Sequence, residues 1–167
     1  MVYLYKCAYS NCEMFSDAFP TEERYNGVVF AVKSTIVDKE AMKFEMGDCD
    51  DVEDKSERVN DIADGFHYNQ VQFSKPQFTA WLKPYVKKLA EKFKEANKDD
   101  EEKQKLFQTS CGEYAKFILG IFDKCEFYLN EDNDMDGSVA VGYWQDEQND
   151  KGPTFLYFKE GLVREKI

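Results

Sequence analysis

The stretch "DNDMDGSVAVGY", residues 132–143, gathers the side chains with the most evident capacity for chemistry in this chain. Asp132, Asp134 and Asp136 occupy the first, third and fifth positions of an EF-hand calcium loop, and Gly137 occupies the sixth, where that loop turns sharply. The twelfth position requires a Glu whose two oxygens complete the cage, and Tyr143 stands there. Val139, Val141 and Tyr143 alternate with smaller residues in the manner of a strand, where an EF-hand needs a helix. The segment is therefore read as a hairpin turning at Gly137. Together with Glu131 it still offers four carboxylates within six residues, Glu131, Asp132, Asp134 and Asp136. A solvated hairpin tip is the favoured reading of so open a cluster; weak calcium binding, with Kd of about 10⁻⁴–10⁻³ M, is the alternative.

Other candidate chemistry is sparse. The five cysteines, Cys7, Cys12, Cys49, Cys111 and Cys125, contain no CxxC pair, and the single histidine, His67, leaves no zinc site of usual spacing. An odd cysteine count argues against a disulfide framework and for reduced thiols in a cytoplasmic protein. No GxSxG, P-loop or GxGxxG motif occurs, so the chain is read as non-enzymatic, with a thiol-dependent reductase as the less favoured alternative. Cys111 and Cys125 are expected as packed thiols, and His67 and Trp81 as structural residues.

The elements that must position these residues fall into a simple order. "VYLY" (2–5) and "GVVFAVKS" (27–34) are β-branched and aromatic, with Asn26 and Gly27 marking a turn. Residues 38–58 are acidic and poor in apolar side chains, and are expected to form a mobile loop. From Ser74, a fitting N-cap, Phe78, Trp81, Leu82, Tyr85, Val86, Leu89 and Phe93 follow at helical spacing. Pro84 predicts a kink near residues 80–83. Phe107, Cys111, Tyr114, Ala115, Ile118 and Phe122 repeat the spacing, so residues 74–122 predict a helical hairpin. Strands are expected again at 126–130, 138–144 and 154–161. The order β, loop, αα, β predicts an α+β fold with a mainly antiparallel sheet, in one domain over 1–167 whose β core comprises 1–37 and 125–167.

The net charge of −11 repels phosphate backbones and anionic lipid, which makes nucleic acid and membrane surfaces poor partners. No run of about 18 apolar residues is present, and no basic region precedes the short apolar start.

Three stretches together resemble the translationally controlled tumour protein family: "EMFSD" (13–17), "FYLNEDNDMDGSVAVGYW" (127–144) and "PTFLYFKEGLVREKI" (153–167), the last similar to the family's closing strand and charged tail. The hairpin lies between them in the same order. The resemblance implies a β-tent fold bearing a protruding helical hairpin. It also implies contact of Glu13 and Glu131 with a Ras-like small GTPase; the alternative is that both are solvated turn residues, and Ser16 and Asp17 are read as turn or cap residues. Further partners implied are the translation elongation factor machinery, microtubules (tubulin) and cell-survival proteins, with growth as the setting. The basic run Lys83, Lys87, Lys88, Lys92 and Lys94 on the first helix lies in the region those last partners use, or is a solvated face. Three departures stand out, the first being that the acidic loop lacks the family's "NxSxE" signature. Asn130 replaces the family's Gly before Glu131, and the chain ends in Ile167 in place of Cys, so no disulfide-linked dimer is expected and a monomer is. No cofactor is implied beyond weakly held calcium.

Overall fold

The computed structural model describes residues 3–38, 58–133, 137–146 and 148–166. The acidic loop expected at 38–58 therefore lies almost wholly outside the described residues. Two apolar runs explain the architecture. Val29–Lys33 forms strand β4 and Thr154–Phe158 forms β10, and the two pair antiparallel with Ala31 opposite Leu156. Along β10, Leu156 and Phe158 enter one core cluster while Phe155 and Tyr157 enter the other. In β4, Val29 and Ala31 likewise face one cluster, and Phe30 and Val32 the second. A sheet with both faces covered has no polar alternation, which is why these strands read as continuous hydrophobic runs.

That central sheet has six strands. β3 (Thr21–Arg24), β4, β10, β9 (Ala140–Tyr143), β8 (Glu126–Leu129) and β7 (Asn69–Val71) lie side by side in that order, all pairs antiparallel. Its second face is covered by a three-stranded sheet in which β1 (Tyr3–Cys7) lies between β11 (Leu162–Lys166) and β2 (Glu13–Ser16). β5 (Ile36–Asp38) pairs with β6 (Arg58–Asn60), followed by the single-turn helix α1 (Asp61–Gly65), which the Asn60 side chain caps.

The first face is covered by the hairpin of α2 (Lys75–Ala96) and α3 (Glu101–Gly120). Ser74 and Gln77 close a reciprocal capping box at the start of α2, and Asp100 caps α3 by accepting from Lys103 N at 3.1 Å. Phe78, Trp81, Leu82, Tyr85 and Leu89 form the buried stripe of α2, and Phe107, Ser110, Cys111, Tyr114 and Ile118 that of α3. Each large apolar side chain so buried stabilises the fold by roughly 1.5–3 kcal/mol. α2 continues as a helix through Pro84. Pro84 and Ala80, whose carbonyl loses its helical donor, are both exposed, so that carbonyl is open to solvent.

The structure corrects the expected tail. Residues 162–166 form a strand on β1, with Leu162 buried opposite Cys7. Lys6 Nζ meets Glu165 Oε2 at 2.7 Å, and the Arg164 guanidinium lies 4.5 Å from the Tyr3 ring centroid. Its four exposed residues conceal the strand from hydrophobic patterning. The polar "TEER" of β3 escapes for the same reason: Arg24 donates to Tyr143 Oη and Gln145 Oε1, partners more than a hundred residues away.

Candidate functional site

Glu13 opens β2, a strand set rigidly by its next two residues. Met14 and Phe15 are fully buried, the Met14 carbonyl accepts from Tyr68 Oη, and Phe15 stacks on Tyr5 and Tyr157 at 4.6 and 4.7 Å. The Glu13 carboxylate is exposed and lies opposite Lys6 in the strand register. Lys6 is held above its ordinary pKa chiefly by its hydrogen bond to Glu165, with Glu13 adding to the effect. Ser16 Oγ accepts from Ala18 N, a turn role.

Glu131 follows β8 in a tight turn organised by Asn130. The Asn130 side chain is completely buried: its Oδ1 accepts from Asp132 N at 3.1 Å and its Nδ2 donates to Ser10 Oγ at 2.9 Å. Its carbonyl accepts from Asn133 N, and Asn133 takes a left-handed φ of 56°. A glycine at 130 makes none of the side-chain bonds. The departure from the family pattern thus has a structural consequence, a tie between the Glu131 turn and the 8–12 loop.

A second tie runs the same way. Cys12 Sγ donates to Asp132 Oδ2 at 3.2 Å, so the residue before Glu13 touches the residue after Glu131. Glu13, Glu131 and Asp132 are all exposed on this corner. Asp134 and Asp136, the other two calcium candidates, lie outside the described residues. Among the described residues, no three His, Cys, Asp or Glu side chains gather as a metal cluster.

Beneath the corner is a knot of buried groups that sequence reasoning missed. Cys7 Sγ accepts from Ser138 N at 3.3 Å, Tyr85 Oη and Ser138 Oγ are 3.0 Å apart, and Ala8 N donates to the Gly161 carbonyl at 2.8 Å. Trp81 Nε1 donates to the Gly137 carbonyl. Gly161 is required there, because a Cβ would collide with Tyr85 Oη. Burial pushes the Cys7 thiol up, but hydrogen bonds from Ser10 and Ser138 outweigh it and leave the pKa below its ordinary value. The signal in the sequence was the exchange of Gly for Asn130; nothing local announced Ser10, Cys12 or Ser138 as its neighbours.

The remaining candidates separate cleanly. His67 is an exposed turn residue with φ of 59°. Burial raises the Cys111 thiol to about 12 and the Cys125 thiol to about 11, which keeps both protonated and unreactive near neutrality. The basic run of α2 is only partly outward: Lys92 Nζ donates to the Glu160 carbonyl at 2.8 Å and Lys88 Nζ lies 3.8 Å from the Tyr9 ring centroid. Lys83, Lys87 and Lys94 are exposed.

The whole architecture is shared with solved structures. The translationally controlled tumor-associated protein of Schizosaccharomyces pombe superposes with a TM-score of 0.79 at 26% identity, over 99% of both chains. The translationally-controlled tumor protein of Caenorhabditis elegans has the same fold, with a TM-score of 0.76 at 20% identity over 99% of this chain and 98% of that one. The model of the family described as translationally controlled tumour protein matches residues 2–163. The chain belongs to that family. Among its relatives within the translationally controlled tumour protein family, homolog 1 of Dictyostelium discoideum is 30% identical over 92% of each chain, and the Theileria annulata homolog 30% identical over 98% of each. Among the described residues, no helix is long and apolar enough to cross a membrane.

Proposed function

We propose that this family member is a non-enzymatic regulatory binding protein that contacts a guanine-nucleotide-binding protein, a Ras-like small GTPase or the translation elongation factor machinery, through Glu13 and Glu131. The observation that carries the reading is the Cys12 to Asp132 hydrogen bond, which joins the segments bearing the two exposed carboxylates. Carboxylates on such a corner pair with Lys or Arg of a partner by charge-assisted hydrogen bonds, or compete for a magnesium ion bound there. A corner already ordered by Asn130 and by buried Met14 and Phe15 loses little entropy on binding. Family membership supports the same class of partner. The hairpin's exposed Lys83, Lys87 and Lys94 are the cations that suit acidic tubulin surfaces or survival proteins.

Calcium binding by Glu131, Asp132, Asp134 and Asp136 is the competing reading. The bond from Cys12 already occupies one oxygen of Asp132, which favours protein contact over a cation cage. The test is a pull-down of GTPases by the wild type, Glu13→Ala and Glu131→Ala, with affinities measured at two salt concentrations. Each substitution is expected to weaken binding about tenfold and to flatten its salt dependence. Retention of the same partners at unchanged affinity would sink the two-carboxylate reading. Calorimetry with calcium in physiological salt separates the competitor: a stoichiometric site tighter than micromolar supports it.

A further inference from the structure

Cys7 and Cys12 close the β1–β2 hairpin from opposite sides. The strand register ends with Lys6 against Glu13, and just beyond it Cys7 N donates to the Cys12 carbonyl at 2.8 Å, which places the two cysteines across from one another at the turn. Residues opposite one another in an antiparallel pair present their side chains on the same face, with Cβ atoms about 4.5–5.5 Å apart. A disulfide spans about 3.5–4.5 Å between Cβ atoms, so closure asks the turn to move by roughly an ångström. The turn that must move carries ties of its own, from Asn130 to Ser10 and from Ala8 N to the Gly161 carbonyl. It comprises only Ala8, Tyr9, Ser10 and Asn11, with Tyr9 and Asn11 exposed and Asn11 left-handed at φ of 62°. The two sulfurs also share a neighbour, because Ser10 favours the thiolate of both.

We infer that Cys7 and Cys12 are a redox-active dithiol, which hydrogen peroxide converts to a reversible intramolecular disulfide. Cys12 is the accessible sulfur and Cys7 the buried one. Burial and Asp132 hold the Cys12 thiol above its ordinary pKa, so it reacts through a minor thiolate fraction, which attacks one peroxide oxygen and breaks the O–O bond; the products are a sulfenic acid and a hydroxide that takes up the thiol proton as one water. The Cys7 thiolate then attacks the Cys12 sulfur and expels hydroxide, which leaves as the second water with the proton Cys7 gave up. Two thiols lose two electrons and two protons, and the peroxide is reduced to two waters. The hydrogen bonds that lower the Cys7 pKa favour its thiolate in the second step. Closure removes the Cys12 thiol proton and with it the bond to Asp132. A loop this short gains little from the crosslink, so the bond is expected to reduce readily with a dithiol. Cys111 and Cys125 take no part, since burial holds both thiols protonated. This dithiol stands whether or not Glu13 and Glu131 meet a partner.

The test exploits Lys6 and Arg24, because trypsin releases both cysteines in a single peptide, residues 7–24. Folded protein is treated with hydrogen peroxide, unfolded, alkylated and digested. The expected peptide carries no alkyl group and is two hydrogens lighter, and dithiothreitol before alkylation restores two alkyl groups. In Cys7→Ser the same treatment is expected to leave a sulfenic acid on Cys12 that dimedone labels, with at least a fivefold larger adduct than in the wild type. The inference is overturned if the wild-type peptide stays fully alkylatable under peroxide that oxidises free glutathione in the same tube. It is overturned equally if Cys12 pairs with Cys49, or if wild type and Cys7→Ser accumulate the same dimedone adduct.

Discussion

Cys111 in α3 and Cys7 at the end of β1 are 2% and 1% exposed, yet the protein moves their thiols in opposite directions. Around Cys111 the helical hairpin offers apolar packing, and burial alone raises the thiol to about 12. Around Cys7 the corner offers Ser10 and Ser138, whose hydrogen bonds outweigh the same burial. The two regions differ in what holds them. The hairpin is an aromatic assembly with Phe78 packed on Trp81, Phe122 and Phe127. The corner is a network of polar ties through Asn130, Ser138 and Cys12. Burial by itself does not decide reactivity; the presence of donors at the buried atom does.

The contrast is broken most severely in the hairpin. Phe78→Ala empties a fully buried site and is expected to cost about 3–5 kcal/mol in urea unfolding. Exchange protection should fall across both helices and the central sheet. A loss confined to α2 would show that the hairpin is not continuous with the sheet core.

At the corner, Asn130→Gly is expected to cost about 1–3 kcal/mol, since it deprives Ser10 and Asp132 N of buried partners. Here amide exchange should rise at Asp132 and Asn133 while α2 and α3 stay protected. Gly161→Ala is expected to cost a similar roughly 1–3 kcal/mol by overpacking, because Tyr85 Oη must leave Ser138 to make room. As Tyr85 belongs to the hairpin stripe, this variant alone should disturb both regions. Lys88→Ala removes the cation above the Tyr9 ring and should cost no more than about 0.5–1 kcal/mol.

The pH dependence of stability sharpens the comparison further. Cys111 and Cys125 have folded pKa values above 9.0, so their contribution is complete below pH 9.0 and is lost as pH rises toward about 12 and 11. Cys7 has a folded pKa below 9.0, so its contribution is present above that value and is lost as pH falls through the folded pKa. The difference in unfolding free energy between wild type and Cys7→Ala should therefore grow as pH approaches 9.0. The corresponding difference for Cys125→Ala should shrink above it. Urea titrations at stepped pH measure both, and parallel curves would erase the distinction.

Much of the fold could be read from the residues alone. The α2 and α3 stripes repeat every three or four residues because each helix has one covered face, and Ser74 marks the start with a cap that depends only on Gln77. The runs at 29–32 and 154–158 declared strands, and the fold showed that both faces of those strands are buried. β3 and β11 stayed hidden because their partners are charges and backbone groups distant in sequence.

The candidate site divides along the same line. Local residue types sufficed to reject an EF-hand at Tyr143, whereas Glu13, Glu131 and the departure at Asn130 came from the resemblance to a family that the chain as a whole belongs to. Only the folded chain decided that Cys12 meets Asp132, that Asn130 meets Ser10, and that Ser138 turns its amide to Cys7. Periodicity encodes which face of an element is buried, because it repeats within the element itself. A hydrogen bond across 120 or 131 residues leaves no such repeat, so those partners exist as a pair only once the sheets have packed.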